Sequence, residues 1–123
     1  MNYLLLVHSE ENDLGPKTEK EFADLIREHL AYDEALRESG HFIVAEALQP
    51  DGNTTTVKLR QGKLSVTDGP FAETKEITGF ILINAKDFDT AIRIASKVPS
   101  ARMGAVELRP VRDLFEELDS PPS

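Results

Sequence analysis

The sequence predicts one α+β domain in which two β-α-β units are joined through a β-hairpin. Three observations predict it. A chain of 123 residues with 40% hydrophobic and 29% charged residues has the size and balance of one globular domain with a two-layer core. Apolar strand-like runs alternate along it with two capped, helix-periodic segments. Between those units, Val57 and Leu59 face Leu64 and Val66 across Gln61-Gly62, the alternation of a hairpin.

Residues 2–8 form the first strand, a nearly continuous apolar stretch that suits a central position in a sheet. Thr18 and Glu21 then make a Thr-x-x-Glu capping box, and the helix they open runs to Ser39, with Gly40 as its left-handed stop. Residues 42–48 are the second strand, and Pro50 to Asn53 supply turn residues before the hairpin. Residues 77–84 are a further apolar strand. Asp87 caps a second helix with Phe88, Ala91, Ile92 and Ala95 on one face, and Pro99 stops it. Val106 and Leu108 alternate with Glu107 and Arg109 in the last strand. Residues 1–112 are thereby one domain, and residues 113–123 form an acidic tail with room for one helical turn.

This order is ferredoxin-like: βαβ, hairpin, βαβ. Both helices must lie on one face of the sheet, so the opposite face is either polar or buried against a partner. A homodimer burying at least about 1,000 Å² is the expectation.

Composition narrows the function. A net charge of −8 and a pI near 4.8 repel phosphate backbones and anionic lipid, so neither nucleic acid nor a membrane surface is expected as a direct partner. The apolar run Tyr3–Val7 is too short for a signal peptide or a membrane span. The chain has no cysteine, which removes disulfides and thiolate chemistry and suits a cytoplasmic setting. No His, Asp or Glu spacing matches a zinc or EF-hand site, and no glycine-rich phosphate loop or nucleophile elbow occurs, so neither metal nor cofactor is expected.

The first helix holds the most informative pair. Phe22, Leu25, Ile26, Leu30 and Leu36 define an apolar stripe, and His29 and Asp33 sit at its centre, one turn apart. A carboxylate beside an imidazole can orient it and raise its basicity, as general acid/base work requires. The same spacing serves a purely structural pair, and both uses are open. With Asp33 outweighing burial, the His29 pKa is expected above its ordinary value near 6.5. A cavity between sheet and first helix would let His29 meet a small organic metabolite. Asp68, Glu73 and Lys75, with Phe71 as anchor, surround the turn Asp68-Gly-Pro-Phe71 and are candidates for a pocket mouth; a solvated turn explains them equally. Arg102, in a tight loop before the last strand, could meet a ligand carboxylate, Asp68 or Glu73.

The run Val66-Thr-Asp-Gly-Pro-Phe-Ala-Glu-Thr-Lys-Glu76, the Gly79-Phe80 after it, and Gly104-Ala-Val-Glu-Leu-Arg-Pro-Val111 resemble the signature of YCII-related proteins, in the branch named for Asp-Gly-Pro-Phe. The resemblance extends over residues 1–112. It implies a ferredoxin-like dimeric α+β barrel, a fold shared with cofactor-free muconolactone isomerases and with a dehydrochlorinase acting on a chlorinated hydroxyquinol. It further implies a histidine on the first helix, which His29 matches, and an aspartate immediately before the proline that ends the second helix. Val98 stands there instead, leaving Asp33 as a local substitute. The branch is also associated with extracytoplasmic-function sigma factors, which implies a rival role as a non-catalytic regulatory or interaction module.

Overall fold

The computed structural model describes residues 1–9, 15–72 and 76–119. The first strand, β1 (Asn2–Ser9), alternates buried Tyr3, Leu5 and Val7 with the less buried Leu4 and Leu6, so its two faces meet different surroundings. Helix α1 (Glu19–Glu38) starts where expected, with Thr18 Oγ1 accepting the Glu21 N–H at 3.1 Å. The other arm of the box is displaced by one residue: Glu21 Oε2 accepts the backbone N–H of Lys17 at 2.8 Å. Gly40, at φ +82°, ends the helical segment in the left-handed region.

Strand β2 (Phe42–Ala47) is followed by a 3-10 turn, Asp51–Asn53, and by the hairpin β3 (Thr55–Arg60) and β4 (Lys63–Asp68). Gln61 at φ 52° and Gly62 at φ 77° give this hairpin the left-handed two-residue turn that matches strand twist. Strand β5 (Ile77–Asn84) leads to α2 (Phe88–Ser96), capped by Asp87, whose carboxylate accepts the Thr90 N–H at 2.8 Å. A second 3-10 turn, Pro99–Arg102, leads into β6 (Gly104–Pro110), and a short α3 (Leu114–Asp119) follows.

The four-stranded sheet has the order β2-β5-β1-β6 with every neighbouring pair antiparallel, the ferredoxin-like arrangement; β3 and β4 form a separate ribbon. Tyr3, Leu5, Ile81 and Ile83 on one sheet face pack with Leu36 of α1 and with Ala91, Ile94 and Val98. Both helices therefore cover the same face. The opposite face carries Leu4, Leu6, Phe80, Leu82 and Val44, aligned by the registers Leu4↔Leu82, Leu6↔Phe80 and Val44↔Leu82. Leu4, Leu6, Phe80 and Leu82 are partly buried and Val44 is exposed, whereas Tyr3, Leu5, Ile81 and Ile83 on the helix side are buried.

The apolar stripe of α1 divides in two. Leu36 is buried and Leu25, His29 and Tyr32 are partly buried, whereas Phe22, Ile26 and Leu30 are 57%, 45% and 62% exposed. The helix is thus rotated so that half of its stripe faces the sheet and half faces outward. The expected cavity between sheet and first helix is filled by Leu36 with Tyr32 and Phe42 packed beside it. Tyr32 also fixes α1 to α2, its hydroxyl donating to the Ile94 carbonyl at 2.7 Å.

Candidate functional site

His29 is placed by α1 on the sheet-facing side of the helix, between Leu25 and Tyr32 and about one turn from each in the inward row. Its Nε2 lies 2.7 Å from Ser100 Oγ, in the 3-10 turn that follows α2. That turn is fixed from both ends. Val98 and Pro99 are buried in front of Ser100, and the Met103 N–H donates to the Ser100 carbonyl at 3.1 Å behind it. Next to this contact, Arg102 Nη2 donates to Glu28 Oε2 at 2.7 Å, so two successive residues of α1 meet the same short turn. Arg102 therefore forms an internal ion pair, with Glu28 as its carboxylate instead of Asp68.

Burial holds the His29 imidazole below its ordinary pKa, with Arg102 adding in the same direction; Asp33 and Glu28 oppose this without prevailing. The expected upward shift is overturned because desolvation of a partly buried cation outweighs a carboxylate that acts only through charge. Asp33 itself is held above the usual carboxylate range by burial, against the opposing pull of His29 and Arg37. Near neutral pH the arrangement is a neutral imidazole with one ring nitrogen on a hydroxyl. Such a ring can accept a proton, and Asp33 and Glu28 favour the cation that results.

An open groove of ≈ 230 Å³ runs beside this cluster, lined by Gly15, Pro16, Leu25 and Met103 and by the charged Glu28 and Arg102, with Glu21 and Asp24 further along α1. It lies at the edge of α1 and not between the helix and the sheet. His29 is not part of its lining, but its neighbours Glu28 and Arg102 are.

The remaining expected site residues are not gathered here. Asp68 ends β4 opposite Thr55, and Phe71 is 72% exposed with Lys58 Nζ 5.1 Å from its ring centre. Neither lines the groove. Glu73 and Lys75 lie outside the described residues. Among the described residues no three His, Asp or Glu side chains gather as a metal ion would require, and no helix is long and apolar enough to cross a membrane. Ser100 and Glu28 are the participants that sequence reasoning missed. A serine after a proline carries no signal of its own, and its partner stands 71 residues away.

Comparison with known proteins agrees with this architecture. An uncharacterized protein of Rhizobium meliloti (strain 1021) is 31% identical over 114 residues, covering 90% of this chain and 92% of the relative. The solved structure of 5-chloro-2-hydroxyhydroquinone dehydrochlorinase from Burkholderia phenoliruptrix, in complex with 2,5-dihydroxybenzoquinone, superposes with a TM-score of 0.52 at 16% identity, over 91% of this chain and 94% of that one. At that identity the likeness is one of fold. The model of the YCII-related domain matches residues 1–115, and the chain belongs to the YCII-related family.

Proposed function

We propose that this protein is a homodimer that binds a small organic metabolite in the groove beside His29 and uses the imidazole for cofactor-free proton transfer. The observation that carries this reading is the neutral, partly buried His29, held at 2.7 Å by Ser100 where α1 meets the turn that borders an open groove. A base that is uncharged near neutral pH and ringed by carboxylates is suited to removing a proton from an acidic carbon or hydroxyl. The groove favours a neutral or cationic ligand. Glu21, Asp24 and Glu28 line it against one guanidinium that is already paired. The fold neighbour's ligand, a dihydroxybenzoquinone, makes phenols and quinones the first class to test.

The dimer is supported by the sheet face opposite the helices, where the partly buried Leu4, Leu6, Phe80 and Leu82 form an apolar centre flanked by Glu46, Glu107 and Arg109. An apolar core with a charged rim is the usual anatomy of a stable interface. The cysteine-free, acidic chain fits a cytoplasmic location.

Titrating ¹⁵N-labelled protein with neutral phenols, quinones and their carboxylated analogues tests the ligand reading. Shifts clustered at Leu25, Glu28, Ser100 and Met103, larger for the neutral compounds, are expected. A panel that moves none of these amides would refute it.

A second reading has one specific observation in its favour. The hairpin presents Val57, Leu59, Leu64 and Val66 on one face, each more than 60% exposed, with Lys58, Arg60 and Lys63 on its other face in an acidic protein. An isolated two-stranded ribbon is marginal in water, so this face fits a protein partner, of which an extracytoplasmic-function sigma factor is the kind the Asp-Gly-Pro-Phe motif suggests. Reversing Val57 and Val66 to lysine separates the readings: it abolishes partner binding in this second case and leaves phenol-induced shifts at Leu25 untouched in the first.

A further inference from the structure

Two elements of the fold are too small to hold themselves. A two-stranded ribbon is marginal in water, and so is a helix of fewer than two turns. The hairpin exposes the apolar face made by Val57, Leu59, Leu64 and Val66, and α3 exposes Leu114, Phe115 and Leu118. These patches match in size. The rungs Val57–Val66 and Leu59–Leu64 are about 7 Å apart along the strands. Leu114 and Leu118 are about 6 Å apart along the axis of α3.

The patches also match in charge. Residues Thr55–Asp68 hold three cations and one carboxylate, whereas Arg112–Asp119 hold four carboxylates and one arginine, itself paired with Glu117. The cations stand on the other face of the ribbon, but their long stems can carry charge round its edge, and their field attracts an acidic segment from a distance. By contrast, the outer stripe of α1 belongs to a helix with seven acidic and three basic residues, which repels an acidic segment. Within one chain the two patches are attached at opposite ends of the sheet. The segment bearing α3 leaves at Val111, whose N–H donates to the Asn2 carbonyl at the start of β1. The hairpin is inserted between Ala47 and Ile77, which lie beside the other end of β1, at Val7 and His8. Both patches stay exposed there.

We infer that the occupant of the hairpin face is α3 of a second copy, in two symmetric contacts that flank the sheet interface. This rests on the homodimer proposed above and gives it a direction: the two-fold axis runs across the strands, so that the hairpin end of each sheet meets the α3 end of its partner. The sheets supply most of the buried area, and the α3 contacts fix how they are stacked. On this assignment the hairpin face is covered by the protein itself and not by an unrelated partner.

The chain has no cysteine, so introduced thiols are the only ones that can be oxidised. Two full-length single-cysteine proteins, Leu64→Cys and Leu118→Cys, are mixed at micromolar concentration, allowed to exchange subunits and oxidised, and the linked species are weighed by mass spectrometry. Random pairing makes half of the linked product mixed. The mixed species is expected to exceed this several-fold over the two like-with-like species together, while Phe22→Cys mixed with Leu118→Cys stays at the random proportion. A hairpin–α3 product at or below one half, or a preference of Leu118→Cys for Phe22→Cys, would overturn the contact. Sedimentation of the wild type separates the two failures: a dimer without the preferred link removes the α3 contact and leaves the homodimer standing, whereas a monomer removes both.

Discussion

At the scale of single residues, His29 governs how the protein should respond to pH. Its folded pKa lies below its ordinary value, so between the two the unfolded chain binds more protons than the folded one. Stability therefore falls as pH drops through that window and is recovered as pH rises to about 6.5. Asp33 has the opposite sign in a lower window: its raised pKa means that stability is lost as pH climbs above 3.8 through the folded value. Urea denaturation from about pH 5 to about pH 8 should show wild-type stability rising relative to that of His29→Gln. Parallel curves would show that the imidazole is not desolvated. Asp33→Asn should lower the His29 pKa further, since Asp33 raises it; an unchanged imidazole titration by NMR would mean the two do not interact. The sequence places these two side chains one turn apart. It does not reveal how deeply the helix sinks its inner row, and that depth decides the sign.

At the scale of elements, most of the fold was legible because each boundary has a local chemical cause. Thr18 caps α1 through its own hydroxyl, and Thr18→Ala should cost about 1 kcal/mol in chemical denaturation. The start of β6 has a cause that is not local. A Cβ on Gly104 would collide with the His8 carbonyl, because β6 opens against the end of β1, so any side chain forces the strands apart. Gly104→Ala should lose more than Thr18→Ala, at least about 2 kcal/mol; equal losses would mean the strand end gives way freely. The site followed the same division. His29 stands out within its own helix, whereas Ser100 and the Glu28–Arg102 pair exist only because the fold brings α1 against the turn after α2. The stripe of α1 misled for a related reason: periodicity marks Phe22, Ile26 and Leu30 as apolar, yet only the tertiary rotation of the helix shows that they face outward.

At the scale of the whole molecule, the apolar groups outside the core of the described residues gather on four surfaces. They are the sheet face opposite the helices, the hairpin face, the outer stripe of α1 with Phe22, Ile26 and Leu30, and α3, where Leu114, Phe115 and Leu118 are all largely exposed. The sheet face differs from the other three, because its residues belong to the rigid centre of the fold and sit in register across neighbouring strands. A flat, preformed apolar surface costs little ordering on association, so it is the surface on which a second copy gains most. Leu6 and Phe80, paired directly across β1 and β5, lie at its middle. Both side chains point away from the core and are only partly buried in the separate subunit, so a lysine there can extend its ammonium to water, but in the dimer it places repelling charges at the centre of the interface. Sedimentation at micromolar concentration should then show a dimer for the wild type and a folded monomer for Leu6→Lys/Phe80→Lys, with far-ultraviolet circular dichroism unchanged. By contrast, Leu5→Ala on the same strand should cost about 3 kcal/mol at any protein concentration, because Leu5 is fully buried against the helices. A wild type that sediments as a monomer would refute the dimer, and a lysine variant that remains dimeric would move the interface off this sheet and onto another exposed apolar surface.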